Sequence, residues 1–204
     1  MDHTLNLWLA IVVISLVGIL AHFLYDITRE NHILGLFAAV NESTWEHIKI
    51  AITPSLLWCL YDGYFYGENP NYFCAKLFSL LVIVVFIPAV FYTYKKFTHH
   101  PVLPADILTF IMAIILSQFT FFAILELNPM SHLGTYLSCL GFFCLFGAYM
   151  TLTLDPLRFP IFKDPITGKY GFRAHQNLFK YLHSKHKTNK SQSKTTKPSK
   201  ASQK

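Results

Sequence analysis

His22 and Asp26 stand four residues apart, and His47 closes the short stretch Asn41-Glu42-Ser43-Thr44-Trp45-Glu46-His47. Side chains at i and i+4 share one helix face, so His22 and Asp26 point the same way if that segment is helical. Two imidazoles with two or three carboxylates make a donor set suited to a divalent metal such as Zn, Mn or Fe. In that version His22, Asp26 and His47 hold the ion, and Glu42 or Glu46 is the base on a bound water. The same groups can also run acid–base chemistry or a proton relay without a metal. Plainer roles exist for most of them. Ser43 and Glu46 fit the capping box, and Asn41 and Glu42 sit where a helix N-terminus favours negative charge. His22 has no such account, because it lies inside an apolar run where ionisable groups are costly and face a bundle interior.

The elements that position these residues are membrane helices. Of the 204 residues, 53% are hydrophobic and 14% charged, and 12 of the 17 Lys and Arg lie after residue 157. A soluble domain carries about 25% charge. Residues 1–157 keep five basic residues, Arg29, Lys49, Lys76, Lys95 and Lys96, too few to solvate a water-exposed surface of that size. The fold class expected is therefore all-α, an integral membrane bundle of about five transmembrane helices.

Apolar runs place those helices at about 5–26, 43–63, 73–95, 105–127 and 133–154. No Lys or Arg precedes the first run, so it reads as an uncleaved helix rather than a signal peptide. The run 33–40 is too short to cross and is expected at the interface or packed back on the bundle. Pro54 and Pro88 fall inside helices and mark kinks. Three regions result: a bundle over 1–157, a turn segment with a basic amphipathic helix over 158–186, and a Lys-rich disordered tail over 187–204. The four cysteines form no CxxC pair, and packing as small hydrophobes is expected of them.

With the N-terminus outside, the inner side collects 16 basic residues and the outer side only Lys76. This bias sets the N-terminus out and the C-terminus in the cytoplasm. It brings His22, Asp26, Glu42, Glu46 and His47 to the cytoplasmic face. The net charge of +6 belongs to the tail and reads as attraction to anionic lipid, not as a nucleic-acid surface. Asp62, Glu126 and His132 fall at the outer headgroup level, and Ser117 and Gln118 read as interhelical hydrogen-bond partners.

HFLYD at 22–26, VNESTWEHIK at 40–49 and FKDPITGKYG at 162–171 resemble a family of small bacterial multi-pass membrane proteins known only as a domain of unknown function. The likeness runs over about residues 5–175. It implies a multi-pass protein of a bacterial inner or plasma membrane and supplies no activity, substrate or cofactor. A more distant likeness joins Asn41-Glu42 and Trp45-Glu46-His47 to the progestin and adipoQ receptor-like membrane hydrolases. The spacing from Glu to His is shorter here, and the later HxxxH pair of that group is missing from the last three helices.

Walker A, GxGxxG, HExxH and GxSxG patterns are absent from the sequence. Three functions follow as expectations. The first is a membrane-embedded, metal-dependent hydrolase or transferase with a polar site at the cytoplasmic face. The second is a small transporter or channel subunit, working as a homo-oligomer because five helices enclose little space. The third is an accessory protein acting through its basic tail. Polar residues concentrated at one face favour the enzyme, since transporters place such groups near the midplane.

Overall fold

A computed structural model describes residues 3–100 and 102–175. Five long helices, α1 (His3–Ile27), α3 (Thr44–Tyr66), α4 (Tyr72–Thr98), α5 (Leu103–Leu125) and α6 (His132–Leu154), and one short one, α2 (His32–Gly35), carry the architecture. Two 3-10 turns, Pro160–Phe162 and Gly171–Ala174, follow. No strand occurs among the described residues. A single bridge pairs Lys163 with Tyr170.

The long helices alternate in direction. At one end the start of α1 meets the end of α5 through His3 and Glu126, and Asn6 of α1 donates to the Tyr66 hydroxyl at the end of α3. At the same end, Thr135 near the start of α6 donates to the Pro70 carbonyl just before α4. The other end collects the C-terminal turns of α1, α4 and α6 and the N-terminal turns of α3 and α5. The start of α1 and the end of α6 therefore lie at opposite ends of the bundle.

Four helices, α1, α4, α5 and α6, are long and apolar enough to cross a membrane. At a rise of 1.5 Å per residue their 23 to 27 residues exceed the roughly 30 Å of a bilayer core. Their outer faces carry exposed Leu16, Leu20, Val85, Leu108, Leu116, Leu137 and Phe143, while Glu46, Lys49, Asp62, Lys76 and Gln118 are buried. This inversion suits a lipid solvent. The fifth long helix, α3, has the same length as α5 and α6 but holds Glu46, Lys49, Thr53, Ser55 and Asp62. It lies centrally against α1 and α4, so its polar groups find partners in protein instead of meeting lipid.

Those partners are specific. The Lys49 ammonium lies 2.6 Å from the Glu46 carboxylate and donates to the Gly35 carbonyl at 2.9 Å. Lys76 of α4 pairs with Asp62 of α3, which also accepts from the Tyr72 hydroxyl at 2.8 Å. The Lys76 ammonium sits 3.9 Å from the Phe121 ring centre. Asp62, expected at the outer headgroup level, is thus buried in the protein and paired with Lys76. All four cysteines are free.

Pro54 lies inside α3, which runs through it. Its missing N–H releases the Ile50 carbonyl. That carbonyl approaches α1 at Gly18, where a β-carbon would lie 2.7 Å from the Ile50 oxygen and 2.5 Å from Phe110 Cζ. Glycine is what allows α1, α3 and α5 to close here.

The 33–40 run packs back on the bundle. Asn31 caps α2 by accepting from Ile33 and Leu34 N–H, and Ala38, Ala39 and Val40 are buried. The Ala39 N–H donates to the Ala21 carbonyl, and the Tyr149 hydroxyl donates to the Leu36 carbonyl. The amphipathic helix expected within 173–186 falls outside the described residues beyond His175, as does the 187–204 tail.

Candidate active site

The Asn41–His47 stretch forms the entry to α3. Ser43 is the N-cap, and its hydroxyl accepts from Glu46 N–H at 3.4 Å. The reciprocal half of the expected capping box goes elsewhere. The Asn41 side chain accepts from Ser43 N–H at 2.8 Å, which leaves the Glu46 carboxylate to accept from Val40 N–H at 3.0 Å and to pair with Lys49. Glu46 is 3% exposed and is held by Val40 N–H and Lys49, so it braces the loop from within and does not line the cavity.

His22, Asp26, Glu42 and His47 do line one cavity, of about 500 Å³. The i, i+4 spacing on α1 and the adjacent entry to α3 bring them together as the sequence suggests. Glu42 stands between the two imidazoles. Its Oε1 lies 3.9 Å from His22 Nε2, and its Oε2 lies 3.9 Å from His47 Nε2. The ring centres of His22 and His47 are 5.7 Å apart.

The His47 tautomer follows from its partner. Nδ1 lies 2.9 Å from the Ser43 carbonyl oxygen, which can only accept, so Nδ1 carries the hydrogen. In the neutral ring the Nε2 lone pair then faces Glu42 and the cavity. His22 has no such anchor, and its Nδ1 is buried without a hydrogen-bond partner.

Asp26 turns to a residue that sequence reasoning missed. His175 Nε2 lies 3.3 Å from Asp26 Oδ1 and 3.7 Å from Glu30 Oε1, while His175 Nδ1 donates to the Val40 carbonyl at 2.9 Å. With Nδ1–H committed, a neutral His175 would set a lone pair against a carboxylate oxygen. The anticipated His22–Asp26–His47 ligand set is divided between two clusters. Among the described residues no three His, Cys, Asp or Glu side chains converge as a metal ion requires.

The segment after α6 supplies the outer wall. Asp164 is 2% exposed, and its Oδ1 accepts from Glu42 N–H at 3.2 Å. Its Oδ2 accepts from Thr167 N–H at 2.7 Å and from the Thr167 hydroxyl. Asn41 donates to the Gly171 carbonyl at 3.1 Å. Glu42 is thus set in place from a segment more than 120 residues further along the chain. The DPITG string that builds this turn carries a sequence signal, with Asp and Pro opening a turn and Gly168 at φ +69° completing it. Its contact with Glu42 carries none. Asp106 of α5 also faces the cavity and accepts a short hydrogen bond from the Tyr94 hydroxyl. Phe23, Phe91, Leu103 and Ile166 supply apolar walls.

A family model described as a family of unknown function (DUF6512) matches residues 2–172, and the chain belongs to that family. No curated protein and no solved structure matches it.

Proposed function

We propose that this chain is a multi-pass cell-membrane enzyme, a hydrolase or transferase, whose cavity opens at the cytoplasmic face and works by acid–base catalysis on an amphiphilic substrate. One observation supports the reading above the rest: the Glu42 carboxylate lies between two imidazoles at equal distances of 3.9 Å, in a cavity with mixed polar and apolar walls. His47, with its tautomer held by Ser43, offers Nε2 as the base that takes a proton from water or an acceptor hydroxyl. Glu42 stabilises the imidazolium that forms. His22, on the other carboxylate oxygen, delivers a proton to the leaving group. Such positioned proton transfers contribute about 10² to 10⁴ in rate.

The orientation assumed is five crossings with the N-terminus outside, which the alternating helix directions and the charge bias favour. The basic tail would hold anionic lipid on the same side. The division of the proposed ligand set favours metal-free chemistry over a Zn site. A tetrahedral Zn site has ligand–ligand edges of about 3.3 Å, so His22, Glu42 and His47 would have to close up to hold one.

The test is incubation of the purified full-length protein with native membrane lipid extract, with and without a chelator, followed by mass spectrometry of the lipids. The reading expects one lipid class to be converted, equally with and without chelator. Conversion abolished by chelation would replace acid–base chemistry with a metal. No conversion would remove the enzyme reading.

A second reading, transport, has its own observation. Asn6 Oδ1, Ser117 Oγ and Gln118 Oε1 are buried without hydrogen-bond partners inside the bundle, where water would satisfy them. Proton flux into reconstituted vesicles that disappears in Gln118→Leu would favour it.

A further inference from the structure

A second cavity of about 520 Å³ adjoins the candidate active site and shares Glu42, Phe91, Asp164 and Ile166 with it. Among the residues it adds are two lysines, Lys95 from the last turn of α4 and Lys163 from the base of the turn after α6. Resting on the reading of the first cavity as an active site, we infer that this second cavity is a phosphate-binding subsite for the headgroup of the substrate.

The fold treats its lysines in two ways. Lys49 and Lys76 are buried and each is neutralised by a carboxylate, as a structural ammonium must be. Lys95 and Lys163 have no carboxylate within 4.0 Å among the described residues, although Asp164 lines the same cavity. Glu42 lines this cavity as well, and the Asp164 oxygens are turned to Glu42 N–H, Thr167 N–H and the Thr167 hydroxyl. The Lys95 ammonium is held 5.2 Å from the Phe91 ring centre, which orders it over the wall common to the two cavities. Two ammonium groups that neither Glu42 nor Asp164 pairs with suit a compact dianion better than a cation. Continuity with the Glu42 cavity places the ester bond of such a headgroup near His22 and His47, and the exposed Leu103 and Ile166 offer apolar surface for its chains. The chemistry recognised is a phosphate, whether on a lipid or free in solution.

Isothermal titration calorimetry on the detergent-purified full chain tests this with three probes: dioctanoyl phosphatidate, dioctanoylglycerol and inorganic phosphate. Wild type should bind phosphatidate at least tenfold more tightly than dioctanoylglycerol. Removing one charge-assisted hydrogen bond should weaken binding about tenfold, so Lys95→Ala/Lys163→Ala should bind about a hundredfold more weakly. Lys96→Ala/Lys169→Ala removes the same charge outside this cavity and should bind as wild type does. Inorganic phosphate binding more weakly than phosphatidate but displacing it assigns the site to a lipid headgroup. Inorganic phosphate binding as tightly as the lipid assigns it to free phosphate. Equal phosphatidate binding by wild type and Lys95→Ala/Lys163→Ala overturns the proposal. Wild type that binds phosphatidate but converts no lipid refutes the catalytic reading and leaves the subsite standing, while Glu42→Gln should keep phosphatidate binding and lose conversion.

Discussion

Replacing Lys49 by Met keeps the length of the side chain and removes its charge. In the native protein the ammonium lies 2.6 Å from Glu46 and donates to the Gly35 carbonyl, and it is fully buried. Lys49→Met leaves the Glu46 carboxylate, 3% exposed, with only the Val40 N–H. Breaking a buried pair from one side costs about 3–5 kcal/mol. For a chain of this size that corresponds to a fall in Tm of about 6–20 °C. The double variant Glu46→Gln/Lys49→Met removes both charges, and its amide oxygen can still accept from Val40 N–H. It should recover most of the stability, which puts the coupling between the two sites at about 2 kcal/mol or more. Thermal unfolding in detergent, followed by intrinsic Trp fluorescence, reads all four proteins of the cycle. A Lys49→Met variant within about 3 °C of wild type, or a double variant no better than the singles, would refute the claim that this pair braces the loop carrying Glu42.

Other substitutions probe other joints of the same structure. Gly18→Val drives a β-carbon into the Ile50 carbonyl and Phe110, and should lower thermal stability by more than Gly147→Val, which meets open space. Tyr72→Phe removes one donor to Asp62 and should cost about 1.5–3 kcal/mol in the same unfolding assay, since that bond goes to a charged group. Asp164→Ala frees Glu42 N–H and the Thr167 turn together. It should lower the Tm, since three hydrogen bonds to a buried carboxylate are lost, and lower lipid conversion by matched amounts of folded protein at least tenfold, because Glu42 loses its outer support.

Much of the bundle was legible because hydropathy is a local signal. Helices near 5–26, 73–95, 105–127 and 133–154 follow from apolar length alone, and the ends differ by a few residues. The central position of α3 was less visible. Its Glu46, Lys49 and Asp62 lower its hydropathy, and only their partners at Val40, Gly35 and Lys76 show why they are tolerated inside. The site was half legible. His22 and Asp26 shared a face by spacing, and His47 and Glu42 arrived with the next helix. The choice between Glu42 and Glu46 was not readable, because it depends on Asn41 taking the Ser43 N–H and releasing Glu46 to Lys49. His175, Asp164, Lys95 and Lys163 were missed for a related reason. His175 and Asp164 act through contacts more than 120 residues away in sequence, Lys95 and Lys163 meet only across the second cavity, and a basic segment near the C-terminus reads as a topology signal before it reads as a wall.

The central claim is that Glu42, with His47 and His22, carries the chemistry, and that Glu46 only supports it. The measurement that bears on this most directly is the initial rate of lipid conversion by matched amounts of folded protein. Glu42→Gln and His47→Ala should each lose about 10² to 10⁴ in rate. The braced double variant Glu46→Gln/Lys49→Met should stay within about threefold of wild type. Glu42→Gln turning over at the wild-type rate, or the Glu46→Gln/Lys49→Met protein folded and inactive, would contradict the account.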